Sequence, residues 1–291
     1  MDLSSLTKFT QNIAQSSMSL VKVVLLSKWN TKRHKSTNDK AIILGNGPSL
    51  NESVQTHRSA MQSMDLWAVN DFPRTPLFKE LKPGQYVFIA PEYWIDDVRQ
   101  SYIDNREIIF KILSEEVDWS MTIFAPIAFR KNKKYRELLA GNSNLKLVYF
   151  NTSPIEGFQG LSNTLIGANL GMPRPHNVLI PSLILAIQSG YKEINVVGAD
   201  HSWIEELTVN ENNEAMVHQK HFYDEDSSKS EAMYKLGRRP RLLHEILEKF
   251  VYAFRSYHFI RQFSEKKGAK IWNLTPKSFI DAFDRRKTMD S

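Results

Sequence analysis

Cysteine is missing from all 291 residues, so no disulfide, thiolate metal site or cysteine nucleophile contributes to this protein. Stability must come from an ordinary core, and the cytoplasm is the expected location. A bilayer-spanning run of roughly 20 apolar residues is also missing. The best candidate, MSLVKVVLLSKW at residues 18–29, is interrupted by Lys22, and no small-residue cleavage site follows it, so it does not read as a signal peptide either. The pattern G-x-x-x-x-G-K-[ST] occurs nowhere, which excludes a P-loop nucleotidase, and no internal repeat is present.

What is there is globular: 42% hydrophobic and 24% charged residues. Lys and Arg outnumber Asp and Glu by 38 to 32, giving a net charge of +6, and the excess is clustered. Lys28, Lys32, Arg33 and Lys35 form one group, Arg238, Arg239 and Arg241 a second, and Arg285, Arg286 and Lys287 a third. Such a field suits anionic lipid headgroups or a nucleotide, or serves solubility alone, and nothing in it specifies nucleic acid. The apolar, Trp-ended stretch at 18–29 followed by Lys and Arg reads either as a helix lying in a membrane interface or as one packed on the main domain.

Residues 1–40 are therefore expected to form an amphipathic helix and a polar linker, with the ordered domain beginning near Ala41. From there short apolar runs at 41–45, 66–71, 86–91, 121–126, 145–151, 193–200 and 269–274 alternate with helix-length segments. Seven such runs predict a mostly parallel sheet covered on both faces, a Rossmann-like αβα sandwich of class α/β. Residues 178–191 predict a buried helix ending at Gly190, and residues 241–267 a second one with apolar positions at helical spacing. A polar stretch at about 201–240 reads as a lid-like segment within the 41–291 catalytic domain.

In such a sheet, ligands lie at the carboxyl ends of the strands. Gly45, Asn46, Gly47, Pro48 and Ser49 follow the first run. Two glycines let backbone approach a ligand, and Pro48 opens a helix whose free N–H groups favour an anion. The third glycine of a dinucleotide fingerprint is replaced by Leu50, which weakens a nicotinamide reading, although Asp71 stands where a ribose hydroxyl would be held. GADHSW at 198–203 puts Asp200 and His201 at the same edge, as general base, metal ligand or helix cap. VHQKHFYDED at 217–226 carries His218 and His221 three residues apart in what reads as a lid. Arg174, between two prolines in GMPRPHN, suits a phosphate or carboxylate, Asn177 opens the next helix, and Thr275 and Ser278 in TPKSF offer further anion donors.

Together, GNGPS, GYKEINVVGAD, the His-bearing loop and TPKSF resemble the bacterial sialyltransferases of glycosyltransferase family 42. GMPRP-N, GADHSW and HFYDE resemble still more the bacterial branch labelled 6-hydroxymethylpterin diphosphokinase MptE-like, over most of residues 41–283. The first resemblance implies a sialyltransferase-like GT-A variant fold. It implies an inverting, metal-independent transfer of a nonulosonic acid or a relative from a CMP-type donor to a bacterial surface glycan, free or lipid-linked. The expected location is the cytoplasm, at the inner face of the membrane if the first helix lies there, and a homo-oligomer is left open. Carried over, Asn46, Gly47, Ser49 and Asn70 would hold the nucleotide and His221 would be the base. Where that family has Thr-Ser-Gly, Asn-Pro and catalytic tyrosines, this chain has Asn177-Val178-Leu179, Ala90-Pro91 and His201-Ser202-Trp203, leaving Tyr223 as the substitute. The second label implies instead ATP and Mg²⁺, held by Asp200 with Asp71 or Asp224. A non-catalytic nucleotide-binding scaffold is the third reading.

Overall fold

The computed structural model describes residues 2–217, 222, 231–232, 234–235 and 239–289. Eight parallel strands form one sheet: β1 (Lys40–Leu44), β2 (Asp65–Val69), β3 (Gln85–Val87), β4 (Met121–Pro126), β5 (Leu145–Phe150), β6 (Glu193–Val197), β12 (Lys270–Asn273) and β13 (Asp284–Arg285). Their spatial order is β13-β12-β6-β1-β2-β3-β4-β5. The seven apolar runs are all strands here. The eighth strand, β13, has two residues in a polar stretch and carries no apolar run to announce it.

Near-continuous apolar strands follow from burial on both faces. Along β1, Ala41 and Ile43 join one core while Ile42 and Leu44 join the other, as the two-residue period of a strand dictates. The first core is completed by α6 (Gln159–Gly167), α7 (Leu179–Ser189) and α8 (Leu243–Lys266), the second by α2 (Leu50–Met61), α3 (Pro76–Leu81), α4 (Gln100–Glu116) and α5 (Lys133–Ala140). α7 is buried at ten of its eleven positions, which is why its sequence is apolar all round, and it ends at Gly190 with φ 99°. Only a residue without a Cβ adopts that conformation without strain.

The chain runs outward from β1 to β5 and then returns to β6 on the other side of β1, in register Lys40↔Glu193 against Ala41↔Asp65 for β2. The order therefore reverses between β1 and β6, and a crevice opens at their carboxyl ends. Between β6 and α8 lie the short strands β7 (Leu207–Val209), β8 (Ala215–Val217) and β9 (Glu231–Ala232), each antiparallel to its neighbour, and the pair β10 (Tyr234–Lys235) and β11 (Arg239–Pro240). Ala215 and Val217 pack on Ile246 and Phe250 of α8, so β8 is seated on that helix. The first helix, α1 (Leu3–Leu26), lies against residues 153–158, and Asn151 fixes its exit by bonding both the Lys28 N–H and the Lys28 carbonyl at 2.8 Å.

Candidate active site

The glycines of the first turn are explained by a neighbour from the same chain. Gly45 and Gly198 leave adjacent strands and touch: a Cβ on Gly45 would lie 2.4 Å from the Gly198 carbonyl, and one on Gly198 would lie 2.3 Å from the Gly45 carbonyl. A Cβ on Gly47 would lie 2.0 Å from Asp200 Oδ2. The turns are also bonded, with the Gly45 N–H on the Val197 carbonyl and the Gly47 N–H on the Gly198 carbonyl, both at 2.8 Å.

Asp200 occupies the position an external anion would be expected to take at the start of α2. Its carboxylate accepts from the Ser49 hydroxyl at 2.9 Å and from the Ser49 N–H. Burial raises its pKa, and the Ser49 bonds oppose the rise. The start of α2 thus already faces a negative group supplied by the protein. Behind it, the TPKSF stretch buckles the loop. Ser278 donates to the Ala199 carbonyl at 2.7 Å, Thr275 accepts from the Ala199 N–H at 3.1 Å, and the Phe279 N–H donates to the Asp200 carbonyl at 3.0 Å.

A cavity of about 800 Å³ opens at the β1/β6 reversal. It brings together Gly45, Asn46, Gly47, Pro48, Asn70, Asp71, Asn177, Asp200 and His201 from the sequence reading. Ser49, Arg174 and Ser278 do not line it. Arg174 forms a two-pronged pair with Glu156, both bonds at 2.8 Å, and lies over the Tyr252 ring. His218, His221, Tyr223 and Asp224 lie outside the described residues. Phe222 is described, and its N–H donates to the Asn46 carbonyl at 3.0 Å.

On the sheet side the cavity offers acceptors. Asn46 Oδ1 and Asn70 Oδ1 are buried with no hydrogen-bond partner among the described residues, while Asn46 Nδ2 is spent on the Val69 carbonyl. Asn70 sits at φ 45°, an uncommon conformation for a residue with a side chain, held by its own N–H on Val87 and by Tyr86, whose hydroxyl donates to its carbonyl. Asp71 accepts from Tyr93 at 2.5 Å and from Asn105 at 3.0 Å. Glu92, on the same wall, has its pKa raised by burial and, to a lesser degree, by the charge of Asp71.

The far wall is built from Arg241 of the second basic cluster, His176 of GMPRPHN and Lys249, which no motif marks. Arg241 Nε and His176 Nε2 are buried without a partner among the described residues, and Lys249 forms no ion pair among them. All three line the cavity. Burial, and then the charge of Arg241, lower the Lys249 pKa to about 8. Burial followed by the charges of Lys249, Arg174 and Arg241 lowers that of His176 to about 4. Lys249 stands within the apolar stripe of α8, between Ile246 and Ala253, both buried. A cation inside such a stripe was the available signal.

His201 is oriented from behind. Asn177 Nδ2 donates to the Tyr257 hydroxyl at 2.7 Å, and that hydroxyl lies 2.6 Å from His201 Nε2. Asn177 donates to the Tyr257 oxygen and leaves the hydroxyl proton free to point at Nε2, an arrangement that would put the ring N–H on Nδ1. Burial holds the His201 pKa at about 4, so at neutral pH the imidazole is a neutral hydrogen-bond donor and a weak base. Trp203 packs on Phe250 with the rings tilted and their centroids 3.9 Å apart, and both line the cavity beside His201 as an apolar floor.

No family model matches this chain, and no curated protein matches it. Among solved structures, one described as "Structure of MAf glycosyltransferase from Magnetospirillum magneticum AMB-1" superposes with a TM-score of 0.48 and 9% identity. The superposition covers 96% of this chain and 38% of that one. The chain thus spans less than half the length of that protein, and a likeness of this degree assigns neither activity nor residues.

Proposed function

We propose that the protein is a glycosyltransferase that takes a nucleotide-activated sugar into the cavity at the β1/β6 reversal and passes the sugar to a glycan. The observation that carries this reading is the pairing of the two walls. Orphaned amide acceptors at Asn46 and Asn70 suit hydroxyl or amino donors of a nucleoside, and the Arg241, Lys249 and His176 wall suits the phosphate. The motif resemblance supplies the finer terms: a CMP-type donor, a nonulosonic acid or a relative, inversion at the sugar carbon, and a surface-glycan acceptor.

In this proposal His221, the residue before Phe222, takes the acceptor proton, because His201 titrates too low to act as a base near neutrality. His201 Nδ1 donates toward the sugar or phosphate, Lys249 and Arg241 offset the charge that grows on the leaving phosphate, and Trp203 with Phe250 shields the site from water. Asp200 acts as a positioning group through Ser49.

A Mg²⁺-dependent diphosphokinase is the second reading, favoured by the proximity of Asp71 to Glu92. A magnesium ion would supply charge neutralisation at a triphosphate; Asp71 accepts from Tyr93 and Asn105 through one carboxylate oxygen, and no cluster of three His, Asp or Glu suited to a metal exists among the described residues. Among the described residues, therefore, the donor set does not fit a divalent cation. A thermal-shift panel of CMP, UDP, GDP, ATP and sugar conjugates, with EDTA or Mg²⁺, separates the two. A sugar nucleotide at ~100 times its Kd is expected to raise the midpoint by about 5 °C without Mg²⁺. A response to ATP with Mg²⁺ alone would overturn the transferase reading.

A further inference from the structure

The first helix is turned opposite to an ordinary surface helix, whose apolar stripe faces the core. In α1 the buried positions are Ser16, Ser19 and Val23, with Ser27 capping its end. The serines are individually bonded. Ser16 Oγ accepts from the Phe158 N–H at 2.9 Å, Ser19 Oγ donates to the Glu156 carbonyl at 3.0 Å and accepts from the Glu156 N–H at 2.9 Å, and Ser27 Oγ donates to the Leu170 carbonyl at 2.5 Å. Gly157 lets the helix approach, since a Cβ there would lie 2.3 Å from Ser16 Oγ. These bonds fix the rotation of α1, so rolling it to bury its leucines would break them.

The apolar side chains consequently point outward. Of the 21 large apolar side chains that are exposed among the described residues, ten lie between Leu6 and Trp29, among them Leu25 at 74%, Val24 at 67% and Trp29 at 64%. An apolar surface this concentrated marks an interaction site. Its charge is equally one-sided. Residues 3–38 contain no Asp or Glu and six cations, Lys8, Lys22, Lys28, Lys32, Arg33 and Lys35. Among the described residues no carboxylate pairs with Lys28, Lys32 or Lys35. A second copy would bring an equally cationic, acid-free face, whereas an anionic lipid surface complements both the charge and the apolar stripe.

We propose that the outward face of α1 binds an anionic membrane surface, with Val24, Leu25, Leu26 and Trp29 entering the headgroup boundary and Lys28, Lys32 and Lys35 among the lipid phosphates. The inference stands apart from the cavity and from what the cavity takes. The test is flotation of the full chain with phosphatidylcholine vesicles containing or lacking phosphatidylglycerol. The protein floats with the anionic vesicles and not with phosphatidylcholine alone, and raising salt from ~0.1 to ~0.5 M weakens the binding. Val24→Asp with Leu25→Asp lowers partitioning on the order of 100-fold, and Lys32→Gln with Lys35→Gln by about tenfold. All four positions are exposed, and an unchanged melting midpoint verifies that the variants fold. Wild-type protein that stays in solution, or a Val24→Asp, Leu25→Asp variant that floats equally, overturns the proposal. So does a dimer seen in sedimentation equilibrium that these substitutions dissociate while vesicles bind nothing, because the face then belongs to a second copy.

Discussion

On the sheet side of the cavity, Ser49 and Asp200 satisfy each other, and Gly45, Gly47 and Gly198 are packed backbone to backbone. On the α8 side, Arg241 and His176 present buried nitrogens without a partner among the described residues, and Lys249 stands beside them without a carboxylate in contact. The wall that carries the Gly-Asn-Gly-Pro-Ser turn holds an internal anion, while the α8 side presents Arg241 and Lys249, and Arg74 lines the same cavity bonded to Asn105. A glycine-rich turn at a helix start is built for close approach and a negative group, and both can be supplied from within the fold.

Crowding the first wall has the largest expected effect. Gly47→Ala must displace Asp200, and Gly198→Ala adds a left-handed φ of 62° to a 2.3 Å contact, so each is expected to cost about 3 kcal/mol of stability in denaturant unfolding. An alanine tolerated at either position would mean that the two turns are not locked. On the second wall, Arg241→Gln should leave the melting midpoint within a degree or two while weakening binding of the phosphate-bearing ligand roughly 10- to 100-fold by calorimetry. Tyr257→Phe leaves Asn177 Nδ2 and His201 Nε2 without their shared partner, at an expected cost of about 1–2 kcal/mol, and frees the His201 tautomer. Nitrogen chemical shifts of that ring would report the change, and shifts identical to wild type would remove Tyr257 from the role.

Both walls also contribute to pH dependence. His176 and His201 are held near 4, below the ordinary 6.5, mainly by burial. Between those values the unfolded chain binds protons that the folded chain refuses, so stability that is full above pH ~6.5 is lost progressively as pH falls toward ~4. Melting curves across that window should show the loss, and His176→Gln or His201→Gln should each flatten it. Unchanged slopes in both variants would mean that neither ring is buried neutral.

The sheet was legible because strands buried on both faces must be apolar throughout, and β1, β4 and β6 sit where those runs lie. Gly45 and Gly47 were legible as positions of close approach. What approaches them was not, because Gly198 and Asp200 are about 150 residues away and only the return of the chain to β6 brings them near. Arg174 and Ser278 look in sequence like anion donors, and their partners, Glu156 and Ala199, come from other segments. Lys249 and Arg241 belong to α8 and its approach, where a helix period hides which cations turn toward a cavity. The same holds for α1, whose apolar pattern was visible while its inward-facing serines depended on residues 153–158.

On the proposed reading, phosphate charge is met by the α8 wall and not by the first turn. Calorimetric titration of wild type, Ser49→Ala and Lys249→Met with the nucleotide that gives the largest thermal shift tests it directly. Lys249→Met is expected to weaken binding about tenfold or more while Ser49→Ala lowers stability and leaves affinity within about twofold. The reverse pattern, with affinity lost on Ser49→Ala and kept on Lys249→Met, would contradict it.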